Sequence, residues 1–340
     1  MGEVITVGLD LAKSVFQAHG AGASGEVIFR KKLRRDQVVP FFAKQPRCVV
    51  AMEACAGAHY WAREIGALGH QTKLIPPAYV KPFVKRQKND MADAEAICEA
   101  AQRPTMRFVP PKSAEPQAAA VIFRTRDLLV RQRTQLINAL RGHLAEFGHT
   151  VAKGPAHVSR LVELVRDRSS GLPEEARSVL IVAVETLETL KAQITLLDRQ
   201  IETRAKASPQ ARRLMSIPGV GPVLATAVVA LAPTASTFRR GRDFAAWVGL
   251  VPRQHSSGGK ERLGRTTKMG ERSLRRLLIL GASSVVKAAA RSGARDPWLA
   301  RMLARKPKLL LTVALANKTA RIVWALMAHG GTYRAPAAAA

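Results

Sequence analysis

Four carboxylates in the first hundred residues could do chemistry together: Asp10 in Val-Gly-Leu-Asp-Leu-Ala-Lys, Glu53 in Val-Val-Ala-Met-Glu-Ala-Cys, and Asp90 and Asp93 in Lys-Asn-Asp-Met-Ala-Asp-Ala. They stand out because the chain is a polycation, with 54 Lys+Arg against 25 Asp+Glu and a formal charge of +29. Like charges brought together raise the pKa of at least one of them. Hard divalent cations remove that penalty, since Mg²⁺ prefers carboxylate oxygen and keeps water and phosphate as its other ligands. Two such ions about 3.5–4 Å apart clamp an in-line displacement at phosphorus, so the implied chemistry is phosphodiester cleavage or transfer. Each acid alone has an ordinary reading as a helix cap or surface charge; the four in this order carry the inference.

A second constellation lies in the last third. Between Arg239 and Arg276, nine arginines and two lysines face three acids, and the middle reads Val251-Pro252-Arg253-Gln254-His255-Ser256-Ser257-Gly258-Gly259-Lys260. A serine in a Gly-flanked loop ringed by Arg253, Lys260, Arg262, Arg265 and Lys268 can approach a scissile phosphate while the cations stabilise developing negative charge. The residues alone do not choose between Ser256 and Ser257, and His255 is open as a base or as a phosphate contact. Upstream, Ser216-Ile217-Pro218-Gly219-Val220-Gly221-Pro222 reads as a helix, a tight turn at Gly219 and Gly221, and another helix, whose amino terminus suits a phosphate. An ordinary αα-hairpin is the alternative.

The elements that must position these groups follow from periodicity. Residues 4–9, 15–19 and 26–30 read as three antiparallel strands around a Gly20–Gly25 turn region, followed by a helix near 36–44, a buried strand at Cys48–Met52, a helix around 58–68, a strand at Thr72–Ile75 and a helix from Asp90 to Ala101. Asp10 and Glu53 then close strands, and Asp90 and Asp93, three apart, share a helix face with Cβ atoms about 5–6 Å apart. Strands first, then alternating strand and helix, is the order of an α/β RNase H-like mixed sheet. Pro104, Pro110, Pro111 and Pro116 mark a connector and a domain boundary. Residues 117–147 form a helix carrying Arg124, Arg126, Arg131, Arg133 and Arg141, a polar break follows at 150–173, and a second long helix repeats Leu180, Leu187, Ile194 and Ile201 every seven residues. That repeat suits either a self-associating coiled coil or an amphipathic helix packed within one subunit, with Lys191 and Asp198 weakening the first.

Composition bounds the partners. A length of 340 residues with 47% hydrophobic content supports packed cores in two to three domains,. The pervasive positive charge points to nucleic acid. Cys48, Cys55 and Cys98 have neither metal spacing nor an even count for disulfides, which fits a reducing cytoplasm,. Neither a signal peptide nor an apolar run near 18 residues is present, so no membrane partner is expected. With 5% aromatic residues, base stacking is a minor term and binding should depend steeply on salt,.

The segments Gly8-Leu9-Asp10-Leu11-Ala12-Lys13, Met52-Glu53-Ala54-Cys55 and Lys88-Asn89-Asp90-Met91-Ala92-Asp93-Ala94 resemble the DEDD transposases of insertion-sequence family 110. Residues 244–252 and 268–276 are similar to the carboxy-terminal domain of the 1111 subgroup. The resemblance implies a RuvC-like DEDD domain over 1–103, a linker with long helices over 104–207, a mostly α transposase domain with a helix-hairpin-helix-like segment over 208–330, and a disordered tail at 331–340. It implies that Asp10, Glu53, Asp90 and Asp93 bind Mg²⁺ as a pair of ions, and that Ser257, with Ser256 as alternate, forms a covalent phosphoserine link to DNA. It also implies donor and target DNA, a structured guide RNA held in part by Arg124, Arg126, Arg131 and Arg133, and a homo-oligomer, a dimer and then a tetramer in the synapse, in the bacterial cytoplasm. A metal-dependent nuclease without an adduct, and a non-catalytic nucleic-acid-binding protein, are the competing readings.

Overall fold

β1 (Thr6–Asp10), β2 (Val15–Ala21) and β3 (Val27–Arg34) form an antiparallel meander, and β4 (Val49–Glu53) and β5 (Gln71–Ile75) extend it in parallel, giving the order β3-β2-β1-β4-β5 in the computed structural model. The structure describes residues 3–85, 89–294 and 296–335, so Lys88 of the third acidic segment and residues 336–340 of the tail lie outside the described residues. The chain divides into two compact units, residues 1–117 and 118–340.

The first unit is an RNase H-like mixed sheet. Alternation places Val7 and Leu9 of β1, Val50 and Met52 of β4, and Phe16 and Ala18 of β2 on one face, where α1 (Val38–Ala43) and α2 (Ala58–Ala67) cover them with Phe42, Trp61 and Ile65,. The opposite face carries the complementary positions. After the short α3 (Pro77–Val80), α4 (Asp90–Ala101) lies across it, burying Ala96, Ile97 and Ala100 with Ala51 and Ile75. The strands and helices expected from periodicity in 4–101 are present; α3 was not foreseen.

The second unit is helical. α5 (Ala114–Glu146) begins three residues before the expected start, because Pro116 falls in the first turn, where a missing N–H breaks no helical bond,. The stretch expected as a polar break contains α6 (Val158–Arg166): Val158, Leu161, Val162 and Val165 form one apolar stripe too short to stand out among its charges,. α7 (Glu174–Ala207) runs antiparallel to α5, with Leu180, Val184 and Leu187 packed against Leu140 and Leu144 of α5 and against α6. The seven-residue repeat is therefore buried inside one chain, as the single-subunit reading requires. Asp198, the charge interrupting that repeat, bonds Arg126 of α5 at 2.5 Å.

α8 (Pro209–Leu214), α9 (Pro222–Leu231), α10 (Gly241–Val248), α11 (Arg272–Ser292), α12 (Pro297–Arg305) and α13 (Lys308–His329) close the second core, joined by Ile122 and Phe123 of α5 and Ile201 of α7. By length and composition α13 could cross a bilayer. Leu311, Leu315, Ala320, Val323 and Leu326 are instead buried in this core, and Lys318 in its middle pairs with Asp296. Between α10 and α11, where a loop was expected, β6 (Pro252–Gln254) and β7 (Leu263–Thr266) form an antiparallel hairpin.

Candidate active site

Asp10 and Glu53 are the last residues of the adjacent strands β1 and β4, on the face covered by α4. Period two fixes this: Thr6, Gly8 and Asp10 share that side of β1, and Ala51 and Glu53 share it on β4. Asp90 and Asp93 occupy the first turn of α4, whose amino-terminal dipole favours negative charge,. Asn89 fixes where that helix begins, its side chain accepting a hydrogen bond from the Ala92 N–H at 2.8 Å,. Gly8 sets how close the helix comes. A Cβ there would meet the Ala94 carbonyl at 2.2 Å and the Cys98 nitrogen at 2.5 Å, so only glycine lets α4 rest on β1 at this point.

Carboxylate oxygens of Asp10, Asp90 and Asp93 lie within 4.8 Å of one another. Glu53 falls outside that group of three but is close enough to act on Asp10 electrostatically. Burial pushes the Asp10 carboxyl from 3.8 up to about 6, with Asp93, Asp90 and then Glu53 adding to the rise,. Three hard oxygen donors at this spacing, one held protonation-prone by burial and by its neighbours, fit a divalent cation better than they fit the protein alone,. Such an ion would draw on Asp10, Asp90 and Asp93, with Glu53 at its margin.

Sequence reasoning missed what surrounds these acids. Gln17 is paired directly with Asp10 across β1 and β2, and His19 is paired with Gly8. Both are buried on the α4 side. The signal was available: in Val15–Ala21 every second position after Phe16 is apolar, which commits Gln17 and His19 to the other face. Burial lowers the His19 pKa, opposed by the nearby Glu95. Glu95 is engaged by Lys85 at 2.5 Å and Arg30 at 3.4 Å, which ties α4 to β3 and to the segment before it.

The serine segment belongs to the second unit. Ser257 and Lys260 bridge across Gly258 and Gly259, whose φ values of 56° and 74° make the two-residue turn that a tight hairpin demands,. The Ser256 hydroxyl accepts a hydrogen bond from the Arg262 N–H at 3.1 Å and so helps close the hairpin. The Ser257 hydroxyl has no hydrogen-bond partner among the described residues, and it is exposed beside Lys260. Arg253, Arg262 and Arg265 are likewise exposed on the hairpin, and Lys268 follows it as the one non-glycine residue at positive φ (55°) among the described residues. His255 donates its backbone N–H to the Arg262 carbonyl.

The remaining expected contacts separate by environment. Arg124 is exposed on α5. Arg126 is taken up by Asp198, and Arg131 by Asp127 at 3.6 Å, while Asp127 also pairs with Arg276 of α11. Arg133 lines a cavity of about 640 Å³ between α5, α6 and α7 with Arg141, Val158 and Lys191. At the turn between α8 and α9, Gly219 has φ 82° and packs on Gly281 of α11; a Cβ on Gly219 would meet the Gly281 carbonyl at 2.7 Å. Helix packing by itself therefore requires glycine at this position. Gly221, at the amino terminus of α9, has open space around it.

Comparison with known proteins puts the acids and the serine hairpin in two separate family models. The IS110 DEDD transposase model matches residues 7–149, and a model described as the transposase IS116/IS110/IS902 family matches residues 211–297. A "Probable family 20 transposase" of Pseudomonas aeruginosa is 50% identical over 96% of this chain and 98% of its own length. The transposase for insertion sequence element IS1111A of Coxiella burnetii is 40% identical over 98% of this chain and 92% of its own length. The transposase for IS1328 of Yersinia enterocolitica is 39% identical over 98% and 99%.

Proposed function

The chain belongs to the IS110/IS1111 family of transposases, and we propose that it is an RNA-guided recombinase that excises and inserts its own element through a covalent serine link. The observation that carries this reading is the convergence of Asp10, Asp90 and Asp93 within 4.8 Å at a strand end, in a chain that also presents an unengaged serine on a basic hairpin. Residues 1–103 act as the RuvC-like domain, 104–207 as the linker and helical domain, and 208–330 as the transposase domain. Asp10, Glu53, Asp90 and Asp93 hold Mg²⁺, which supplies charge stabilisation at the scissile phosphate and polarises oxygen.

The chain's own groups do the rest. Ser257 Oγ forms a bond to phosphorus as the bond from phosphorus to the deoxyribose oxygen breaks, and that oxygen leaves with a proton. Attack by a second strand's hydroxyl on the phosphoserine reverses the step, rejoins DNA and releases the serine. Arg253, Lys260, Arg262 and Arg265 neutralise the phosphate's developing charge. Ser256, whose hydroxyl already serves the hairpin, is the alternate. Arg124, Arg131 and Arg133 of α5 contribute to holding the guide RNA, largely through phosphate and A-form shape, and the amino terminus of α9 at Gly221 takes a DNA phosphate. The partners are donor and target DNA, a structured RNA and further copies of the chain, as a dimer that becomes a tetramer in the synapse, in the cytoplasm.

The test is denaturing electrophoresis after incubating protein, RNA, element-end DNA and Mg²⁺. A protein–DNA adduct lost in Ser257→Ala and kept in Ser256→Ala is the expected result. Cutting without an adduct would favour a nuclease that uses water, and an adduct surviving in the double Ser256→Ala/Ser257→Ala variant would refute the serine assignment.

A further inference from the structure

Across the face of the sheet that α4 covers, one row of paired residues runs from β4 to β3. Glu53 ends β4 beside Asp10 of β1, Asp10 is paired with Gln17 of β2, and Gln17 is paired with Lys32 of β3. The row passes from two acids through a neutral amide to a cation. Packing does not explain the amide. Gln17 is 7% exposed, and its side chain makes no hydrogen bond among the described residues. A buried amide without a partner is unfavourable, and an apolar side chain of the same length would fill the space without that penalty. Directly opposed residues on antiparallel strands have Cβ atoms about 4.5–5.5 Å apart, so the amide lies within reach of the Asp10 carboxylate.

We propose that Gln17 is a positioning residue of the carboxylate site, an inference that rests on the divalent-metal reading above. Its amide N–H₂ donates to the Asp10 oxygen that the ion leaves free and thereby fixes the direction of the oxygen that binds. Carboxylates that ligate a metal depend on such a donor to hold their orientation. The neighbours set which way the amide turns. An ionised carboxylate only accepts hydrogen bonds and an ammonium only donates them, whereas an amide does both, so its oxygen goes to Lys32 and its N–H₂ to Asp10. Neutrality matters as well: a cation at this position would compete with the ion, and a fifth acid would repel Asp10 further. The Leu11 backbone N–H already favours the charged Asp10 carboxyl, and Gln17 adds a donor from the neighbouring strand. His19, two residues on, is as deeply buried at 4% exposed, but it is paired with Gly8, and the charges acting on it are Glu95, Arg30 and Lys85 rather than the four acids. It is the natural control.

Titration of the full chain with Mn²⁺, followed by the electron paramagnetic resonance of the free ion, reads this role without DNA or RNA. Asp10→Ala gives the background. Gln17→Met, which removes the donor, and Gln17→Asn, which withdraws it by one methylene, should bind Mn²⁺ about tenfold to a hundredfold more weakly than the native chain. In EDTA, Gln17→Met should melt no lower than the native chain, because the amide has no partner to lose. His19→Met should leave Mn²⁺ binding unchanged. Native affinity in Gln17→Met and Gln17→Asn overturns the positioning role while leaving the metal reading intact. An equal loss in His19→Met also overturns it, since the effect would then be a general disturbance of β2. So does a Gln17→Met chain that melts well below the native one in EDTA, where the amide would be serving the fold. A native chain that binds no Mn²⁺ above the Asp10→Ala background overturns the metal reading itself.

Discussion

Replacing Asp10 by asparagine should stabilise the metal-free protein while abolishing its chemistry. The Asp10 carboxyl sits at about 6 in the folded chain against 3.8 ordinarily, so the fold holds its proton more tightly than the unfolded chain does. Stability from that proton is complete below about pH 3.8 and is lost as pH rises through about 6, leaving a charge penalty above pH 7. A shift of roughly two units corresponds to about 3 kcal/mol at most. Solvent screening at the mouth of the cluster reduces this to about 1–2 kcal/mol. At roughly 4 °C per kcal/mol for a unit of this size, Asp10→Asn should melt about 4–8 °C higher than the native chain at pH 7.5 in EDTA. The difference should vanish near pH 4, where the native carboxyl is protonated. Millimolar Mg²⁺ should raise the native melting temperature and leave the variant nearly unmoved. Differential scanning calorimetry across pH 4–8, with and without Mg²⁺, makes the comparison. A variant that is less stable than the native chain at pH 7.5, or one whose gain is equally large at pH 4, would refute the reasoning that like charge and burial dominate this cluster.

Two further outcomes follow from packing. Gly281→Ala, normally favourable inside a helix, should cost about 1–3 kcal/mol in urea unfolding, because the added Cβ would meet the Gly219 carbonyl at 2.0 Å,. Arg126→Ala should lower stability and leave the salt dependence of nucleic-acid binding unchanged, since its guanidinium already serves Asp198; a double-mutant cycle with Asp198→Ala should return a coupling of about 0.5–1 kcal/mol, and a reduced salt slope would contradict this,.

The first unit was legible because its signals are local. Val-Gly-Leu-Asp and Val-Val-Ala-Met-Glu are short apolar runs that end in acids, and the parallel register of the two strands then sets Asp10 and Glu53 on one face,. Asn89 before Asp90 marks a helix start by its capping chemistry. The second unit hid what depends on distant partners. The repeat at Leu180, Leu187, Ile194 and Ile201 suits a second chain as well as α5, and Asp198 looked like a defect until Arg126, 72 residues away, was found beside it. α6 has a clean apolar stripe but only nine residues in which to display it. The hairpin is not legible because Pro252–Gln254 and Leu263–Thr266 are short and solvent-facing, so no hydrophobic alternation announces a strand. Gly258-Gly259 is the one local cue, and its left-handed torsions turn the expected loop into a defined two-residue turn.

That hairpin has a mechanical meaning. Five residue steps at about 3.3 Å separate Pro252 from Ser257, so the hydroxyl rides on an arm up to about 17 Å long. A major groove is about 8.5 Å deep, so such an arm could touch a strand well inside it while the bulk of the helices stays outside. Its root is clamped: Arg275 donates to the carbonyls of Val248 and Met269 at 2.8 and 2.7 Å, bracketing both ends of the excursion. An arm held only at its root aims its tip through its two short strands, so lengthening it would spread the tip's position as well as extend its reach.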